Sequence, residues 1–481
     1  MKNSYSIPTA KIQERLRFEN PWWSSNNPAS LIADLPRRLY FDLFFPYVTE
    51  ISVRRAIIVV GPRRVGKTVM MHQAIEELMN QGVSAQKICY IGIDNPVYIN
   101  LSLEDLLNQA IEASGGQQAD GCFVFFDEIQ YLKDWERHLK ILVDSYPNTR
   151  FIVTGSAAAA LQAKSTESGA GRFTEFMLPP LTFQEFLHIQ KLTHLLKPST
   201  TKWLDKEIPF YTAVDIKELN TQFFNYINYG GYPEVIFSET IRSDMGRYIR
   251  NDIVDKVLLR DLPALYGIRD VQELNHFFAY LAYHTGREFS PVTLCKESGL
   301  DRLQLTKYLE YLESAFLIKV LHKVDENTRH FKRITSFKIY LTNPSLRTAL
   351  FSPLSPTDDE AGNAVETALF GQWMHRDTMN LKYARWKAGR SNGEVDLVNL
   401  DEARLKPKWC VEIKWSNRYI EKPSELKSLL DFCSRNGLQS AIVTTIDKEA
   451  IVNYQDIQLC YYPASVYAYT VGANTLIQKQ A

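Results

Sequence analysis

Ala56-Ile57-Ile58-Val59-Val60 runs directly into Gly61-Pro62-Arg63-Arg64-Val65-Gly66-Lys67-Thr68, and few folds accommodate that junction. Five apolar, mostly β-branched residues predict a buried strand. The following G-x-x-x-x-G-K-T string has the spacing of a phosphate-binding loop. Its glycines let the backbone curl until its N–H groups face an anion, and the helix opening near Lys67 adds the positive end of its dipole. Gly61, Pro62, Arg63, Arg64, Val65, Gly66, Lys67 and Thr68 are therefore the candidate nucleotide-binding residues. Lys67 would reach the β- and γ-phosphates of ATP, and the Thr68 hydroxyl would sit on Mg²⁺.

The second half of such a site is expected at Cys122-Phe123-Val124-Phe125-Phe126-Asp127-Glu128, a hydrophobic strand ending in two carboxylates. Asp127 is placed to bind Mg²⁺ and Glu128 to polarise the attacking water. Further strands are predicted at Ile88 to Ile93 and Arg150 to Thr154, with helices over Lys67 to Leu78 and Leu103 to Ala113. This alternation predicts a three-layer α/β sandwich of the P-loop NTPase class. Thr154-Gly155-Ser156 either senses the γ-phosphate or caps a helix through Ser156. Arg172 is an arginine-finger candidate, with an ordinary surface arginine as the alternative. Thr182 and Glu185 have the spacing of a capping box.

At 481 residues the chain exceeds one ordinary core. Four regions are expected: an aromatic and basic leader over 1–50, an ATPase domain over 51–235, a helical and winged-helix-like domain over 236–350, and a third folded domain over 351–481. Lys plus Arg and Asp plus Glu both number 55, so any surface for nucleic acid must be local. The six cysteines are scattered without C-x-x-C spacing, which fits buried thiols in a reducing compartment. With no apolar stretch of signal or membrane-spanning length, the chain reads as cytoplasmic and without a membrane partner.

In the middle region, Ser290 to Ala315 reads as helix, glycine turn and helix, followed by two strands. That order would present Arg302, Gln304 and Lys307 to DNA, but Glu310 and Glu313 on the same helix fit a structural or protein-contact role equally. Arg247 to Leu265 is expected to be a helix ended by Pro263, and Pro353 to Pro356 a linker. Beyond it, Glu366 lies on a predicted helix, Asp396 at a strand start, and Glu412-Ile413-Lys414 on another strand. Residues two apart on a strand share a face, so Glu412 and Lys414 would look into one site beside Asp396. There Asp396 and Glu412 would hold Mg²⁺, Glu366 would assist, and Lys414 would stabilise charge on a phosphodiester. Lys382, Arg385, Lys387 and Arg390 would offer a basic edge to a phosphate backbone. A solvent-facing strand of alternating charge is the plainer alternative.

Taken with Phe126-Asp127-Glu128-Ile129-Gln130, Leu181-Thr182-Phe183-Gln184-Glu185-Phe186, Gly230-Gly231-Tyr232-Pro233-Glu234 and Glu394-Val395-Asp396, the chain resembles a family of prokaryotic AAA-type P-loop ATPases. Members carry a C-terminal restriction-endonuclease-like PD-(D/E)xK domain of unknown function. The resemblance runs from about Arg54 to Thr445. It implies ATP binding and hydrolysis through Lys67, Thr68, Asp127 and Glu128, beside which Glu366, Asp396, Glu412 and Lys414 stand as the candidate catalytic set of the second site. Two functions follow as expectations. One is an ATP-regulated, Mg²⁺-dependent nuclease acting on DNA. The other is an ATP-driven switch or scaffold, homo-oligomeric or bound to a protein partner, that does not cleave.

Overall fold

In the computed structural model, residues 7–25, 35–155, 171–203, 206–324, 336–374, 379–388, 391–401, 403 and 405–480 are described. The chain forms two compact units, Met1–Pro179 and Pro180–Ala481. Among the described residues no helix is long and apolar enough to cross a membrane.

The first unit is built on a parallel sheet in the order β2-β3-β4-β1-β5. Its strands are β1 (Ala56–Val60), β2 (Ile88–Gly92), β3 (Phe123–Asp127), β4 (Arg150–Thr154) and β5 (Phe173–Met177). β1, β3 and β4 are buried along their whole length, as near-continuous apolar runs in a parallel sheet must be. Because β4 lies between β1 and β3, the ends of all three strands meet around the glycine loop. This is where ligands bind in open parallel sheets.

The leader is part of this unit. Helix α1 (Thr9–Glu19) buries Ile12 and Leu16, and the chain then runs along the outer edge of β2. Trp22 and Trp23 both donate their indole N–H to the Ile88 carbonyl, at 3.0 and 2.8 Å. Asn20 Nδ2 donates to the Tyr90 carbonyl at 2.8 Å, and Asn20 Oδ1 accepts the Tyr90 N–H at 2.6 Å. Glu19 accepts the Gly92 N–H at 3.3 Å. Side chains thus occupy backbone groups that an open sheet edge would leave unpaired.

The second unit contains a six-stranded sheet in the order β11-β12-β13-β14-β16-β15. Its strands are β11 (Leu381–Ala388), β12 (Ser391–Leu400), β13 (Pro407–Glu412), β14 (Ser440–Thr445), β15 (Ala450–Tyr454) and β16 (Ile457–Pro463). β11, β12 and β13 are antiparallel, β13, β14 and β16 parallel, and β15 antiparallel to β16. The helix Lys427–Asn436 packs on one face. The helices Phe183–Ile189, Ile216–Tyr229, Ala361–Trp373 and Ala464–Gln480 share the core on the other. A hairpin of β6 (Leu196–Trp203) and β7 (Lys206–Ala213) joins them. The small antiparallel sheet β8-β10-β9 comprises β8 (Glu288–Phe289), β9 (Ile318–His322) and β10 (Phe337–Leu341). It accompanies the helix pair Pro291–Ser298 and Arg302–Ser314.

Three expectations change here. Residues 180–235, expected with the ATPase domain, pack in the second unit. Phe183 N donates to Gln372 Oε1 at 2.9 Å, and Gln372 Nε2 donates to the Tyr226 hydroxyl at 2.8 Å, a pair of buried bonds. The stretch read as a linker is anchored: Leu354 is buried and exchanges backbone bonds of 2.9 Å with the Asn228 amide. The region around Pro263 is π-helical over Arg250–Asp255 and Val257–Asp261, and helix continues past the proline to Tyr266. Pro263 sits where the second π-helical piece passes into the last helical turn.

The candidate nucleotide site and the candidate acidic site

The glycine loop needs both its glycines. Gly61 has φ +153°, and a Cβ there would stand 2.1 Å from the Leu178 carbonyl oxygen, so only a hydrogen fits. Gly66 caps helix α4 (Lys67–Asn80) at φ +94°, with open space where a side chain would be. Lys67 is buried and its ammonium rests on the Gly61 and Pro62 carbonyls at 3.0 and 2.8 Å. The buried Arg38, from the leader, holds the loop from behind by donating to the Val65 carbonyl at 3.1 Å.

Asp127, at the end of β3, is the hub of a hydroxyl cluster. Thr68 donates to its Oδ2 at 2.8 Å and Tyr90 to the same oxygen at 2.7 Å, while Thr154 donates to Oδ1. Thr154 Oγ1 also accepts the Glu128 N–H at 2.9 Å. Glu128 has φ +56°, left-handed for a non-glycine residue, and its carboxylate accepts from Gln130 Nε2. Such a conformation costs about 1–2 kcal/mol and persists where the surroundings enforce it. His72 packs against Tyr90 with the rings tilted by 38° and their centroids 4.6 Å apart. Burial lowers its pKa, against the pull of Asp127. The Thr68 hydroxyl and Asp127 carboxylate supply the hard oxygen donors that Mg²⁺ takes.

In the second unit, Glu366, Asp396, Glu412 and Lys414 come together, with two unforeseen members. Lys338 on β10 is 2% exposed. Its ammonium lies 2.9 Å from Glu366 Oε1, 2.8 Å from Glu394 Oε1 and 3.3 Å from Asp396 Oδ1. Tyr340 donates to Glu366 Oε1 at 2.6 Å. On the other side Asp396 Oδ2 accepts the Ile413 N–H at 2.9 Å and meets Lys414 Nζ at 3.5 Å. Lys414 Nζ also lies 2.7 Å from Glu412 Oε1, and Glu412 Oε2 is buried without a hydrogen-bond partner.

The charges follow from this packing. Burial alone would raise Asp396, but Lys414 and Lys338 outweigh it and hold the carboxyl below its ordinary value. Burial and the Asp396 charge push Glu412 up to about 7 despite Lys414 and Lys338. Glu366 is also raised by burial, with Lys338 opposing. Burial opposes the charge on both lysines, yet the carboxylates around them keep each firmly protonated. Among the described residues no three His, Cys, Asp or Glu side chains are gathered to hold a metal. The donors facing Lys414 are the pair Asp396 and Glu412. The unpartnered Glu412 Oε2 fits a cation that takes two carboxylates and completes its shell with water and substrate oxygens, as Mg²⁺ does.

Residues 53–187 match the AAA domain family. This similarity to an AAA-type P-loop domain suggests nucleotide-binding ATPase activity, for which ATP and Mg²⁺ are the usual ligands. Residues 220–358 match a domain of unknown function (DUF8612). The chain is 25% identical over 295 residues to an uncharacterized protein of Haemophilus influenzae, covering 60% of this chain and 68% of that one. It is 26% identical over 388 residues to an uncharacterized protein of Methanocaldococcus jannaschii, covering 78% of each. Among solved structures, C. elegans PCH-2 superposes with a TM-score of 0.22 at 18% identity, over 39% of this chain and 51% of that one.

Several sequence-derived positions shift in detail. Asp396 lies in the middle of β12 rather than at its start, and Lys414 falls two residues beyond the end of β13. The basic edge is not free: Arg385 pairs with Glu288 and, at 3.3 Å, with Glu394, while Lys382 is half-buried. Arg390 and Ser156 lie outside the described residues. Arg172 pairs with Asp144 at 2.5 Å on the surface. Gln304 is held by Glu273 and, at 3.2 Å, by Tyr308, which leaves exposed Arg302 and Lys307 beside an exposed Leu303. Tyr90 and Lys338 went unassigned, although each carries a polar group within an apolar strand run.

Proposed function

We propose that this chain binds and hydrolyses ATP at the glycine loop and carries, in its second unit, a restriction-endonuclease-like site that cleaves DNA. The observation that carries the second half is the convergence of Glu366, Asp396, Glu412 and Lys414, from a helix, two strands and the turn after one of them, on one place.

At the first site, Lys67 leaves the Gly61 and Pro62 carbonyls to neutralise the β- and γ-phosphates. Thr68 and Asp127 would hold Mg²⁺, which would supply charge neutralisation on the phosphate oxygens. Thr154 fixes Asp127 and the Glu128 backbone together, and Glu128 takes up the proton of the attacking water. At the second site Asp396 and Glu412 would hold Mg²⁺, which would supply Lewis acidity to a phosphodiester oxygen. Lys414 would stabilise negative charge as it grows on the phosphate. Arg302 and Lys307, on the second helix of the winged-helix-like part, are candidate phosphate contacts. A homo-oligomer and a cytoplasmic location are further parts of this reading.

A second reading, an ATP-driven scaffold without cleavage, is favoured by one observation. Lys338 already neutralises carboxylates that a nuclease would offer to metal.

The test is incubation of purified protein with DNA and Mg²⁺, with and without ATP. Mg²⁺-dependent cleavage lost in Glu412→Ala supports the first reading; ATP turnover with intact DNA under every condition leaves the scaffold. Lys67→Ala should abolish nucleotide binding or turnover. Glu128→Gln should keep binding and lose turnover, and normal turnover there would reassign the water-positioning role.

A further inference from the structure

We infer that the acidic site of the second unit takes one divalent cation and not two, because the Lys338 ammonium permanently fills the place of the second. This rests on the reading of Asp396 and Glu412 as metal ligands and goes beyond it.

An ammonium has three N–H donors. Those of Lys338 face three carboxylates at 2.8 to 3.3 Å: Glu394, Glu366 and Asp396 Oδ1. A metal bridging Asp396 from that side would need the same oxygens at about 2.0–2.6 Å. It would then overlap a fixed positive charge that has no route out. Lys338 is 2% exposed on a strand paired on both sides, with β8 and with β9. Tyr340, from the same strand, also holds Glu366.

The other side of Asp396 differs. Its Oδ2 meets one backbone N–H and a distant Lys414, and the buried Glu412 Oε2 beside it is unpartnered. Charge points the same way. The carboxyls of Glu288, Glu366, Glu394, Asp396 and Glu412 outnumber the cations Lys338, Arg385 and Lys414 by two. With all five carboxyls ionised, one divalent ion closes that difference, whereas two would leave the cluster positive.

The test counts Mn²⁺ bound to the full chain by calorimetry and by electron paramagnetic resonance. It is done without nucleotide and in an Asp127→Asn background, so that the glycine-loop site contributes nothing. One ion is expected. Lys338→Met should raise the count to two, with spin coupling between neighbouring ions, and Lys338→Arg should keep it at one. Two ions in the unaltered acidic site would overturn the inference while leaving the metal-site reading intact. No ion at all would overturn both. A count of one in folded Lys338→Met would reduce the lysine to an ordinary buried ion pair. Should that variant fail to fold, Glu394→Gln decides. Glu394 is partly exposed and touches Lys338 and Arg385, so Mn²⁺ affinity should stay within about twofold. A tenfold loss would make Glu394 a metal ligand and overturn the assignment.

Discussion

Asn20 and Tyr90 exchange two hydrogen bonds as residues of adjacent strands do, but Asn20 does so with its side chain. Its amide takes the Tyr90 N–H at 2.6 Å and gives to the Tyr90 carbonyl at 2.8 Å, and it is itself fully buried. The same Tyr90 carries its hydroxyl to Asp127. The leader therefore fixes the strand that supports the Asp127 carboxylate.

Asn20→Ala should cost the first unit about 2–3 kcal/mol, since two backbone groups of β2 lose their partners in a buried setting. Denaturant unfolding followed by the fluorescence of Trp22 and Trp23 measures it, and hydrogen exchange at the Tyr90 amide localises it. A shift below about 0.5 kcal/mol, with no faster exchange at Tyr90, would mean that water or a rearranged side chain replaces the amide.

Thr154→Val keeps the shape of a fully buried side chain and removes its hydroxyl. Asp127 then loses one of its hydroxyl donors and the Glu128 N–H loses its acceptor. Nucleotide affinity should change little, because Lys67 and the loop are untouched. Turnover should fall about 10- to 100-fold, the usual effect of removing a group that orients a metal ligand. Equal losses in binding and turnover would assign Thr154 to nucleotide contact instead.

Strand β1, strand β3 and the glycine loop were legible in the sequence because each is set by neighbours in the chain: a buried apolar run, a fixed glycine spacing, a terminal acid. The leader was legible as aromatic and basic but not as an edge cover, since Asn20 meets its partner 70 residues away. The Pro353 to Pro356 stretch misled for the same reason, because the anchor of Leu354 is the remote Asn228. Lys338 left a trace in Phe337-Lys338-Ile339-Tyr340-Leu341, a lysine alone in a strand buried throughout. A charge there must be paired, but its partners lie 28 and 58 residues on, at Glu366 and Asp396. Composition cannot reveal such pairing.

The cysteines give an independent check on the core. Cys89, Cys122, Cys410, Cys433 and Cys460 are buried free thiols, and Cys295 alone is partly exposed. Burial pushes Cys460 up to about 11, so near pH 8 it carries almost no reactive thiolate. Native protein should therefore show one fast-reacting thiol, lost in Cys295→Ser, and guanidinium should expose all six. Several fast thiols in the native state would mean that the cores open far more readily than their packing implies.

The acidic site can be divided by mutation into ligands and charge stabiliser. Asp396 Oδ2, held by the Ile413 N–H and only at 3.5 Å by Lys414, and the unpartnered Glu412 Oε2 are the oxygen donors on the side away from Lys338. Asp396→Ala should therefore abolish Mn²⁺ uptake at millimolar concentration, because a hard cation retains only one anionic ligand. Lys414→Ala should spare uptake or strengthen it, since it removes a cation 2.7 Å from Glu412. Phosphodiester cleavage should nonetheless fall about 10²- to 10³-fold, because the lysine acts on charge that develops in the transition state. The pair of measurements, calorimetric uptake and cleavage of a labelled duplex, separates the roles. Loss of uptake in Lys414→Ala, with an unchanged circular dichroism spectrum, would show that the lysine holds Glu412 in place rather than meeting the phosphate.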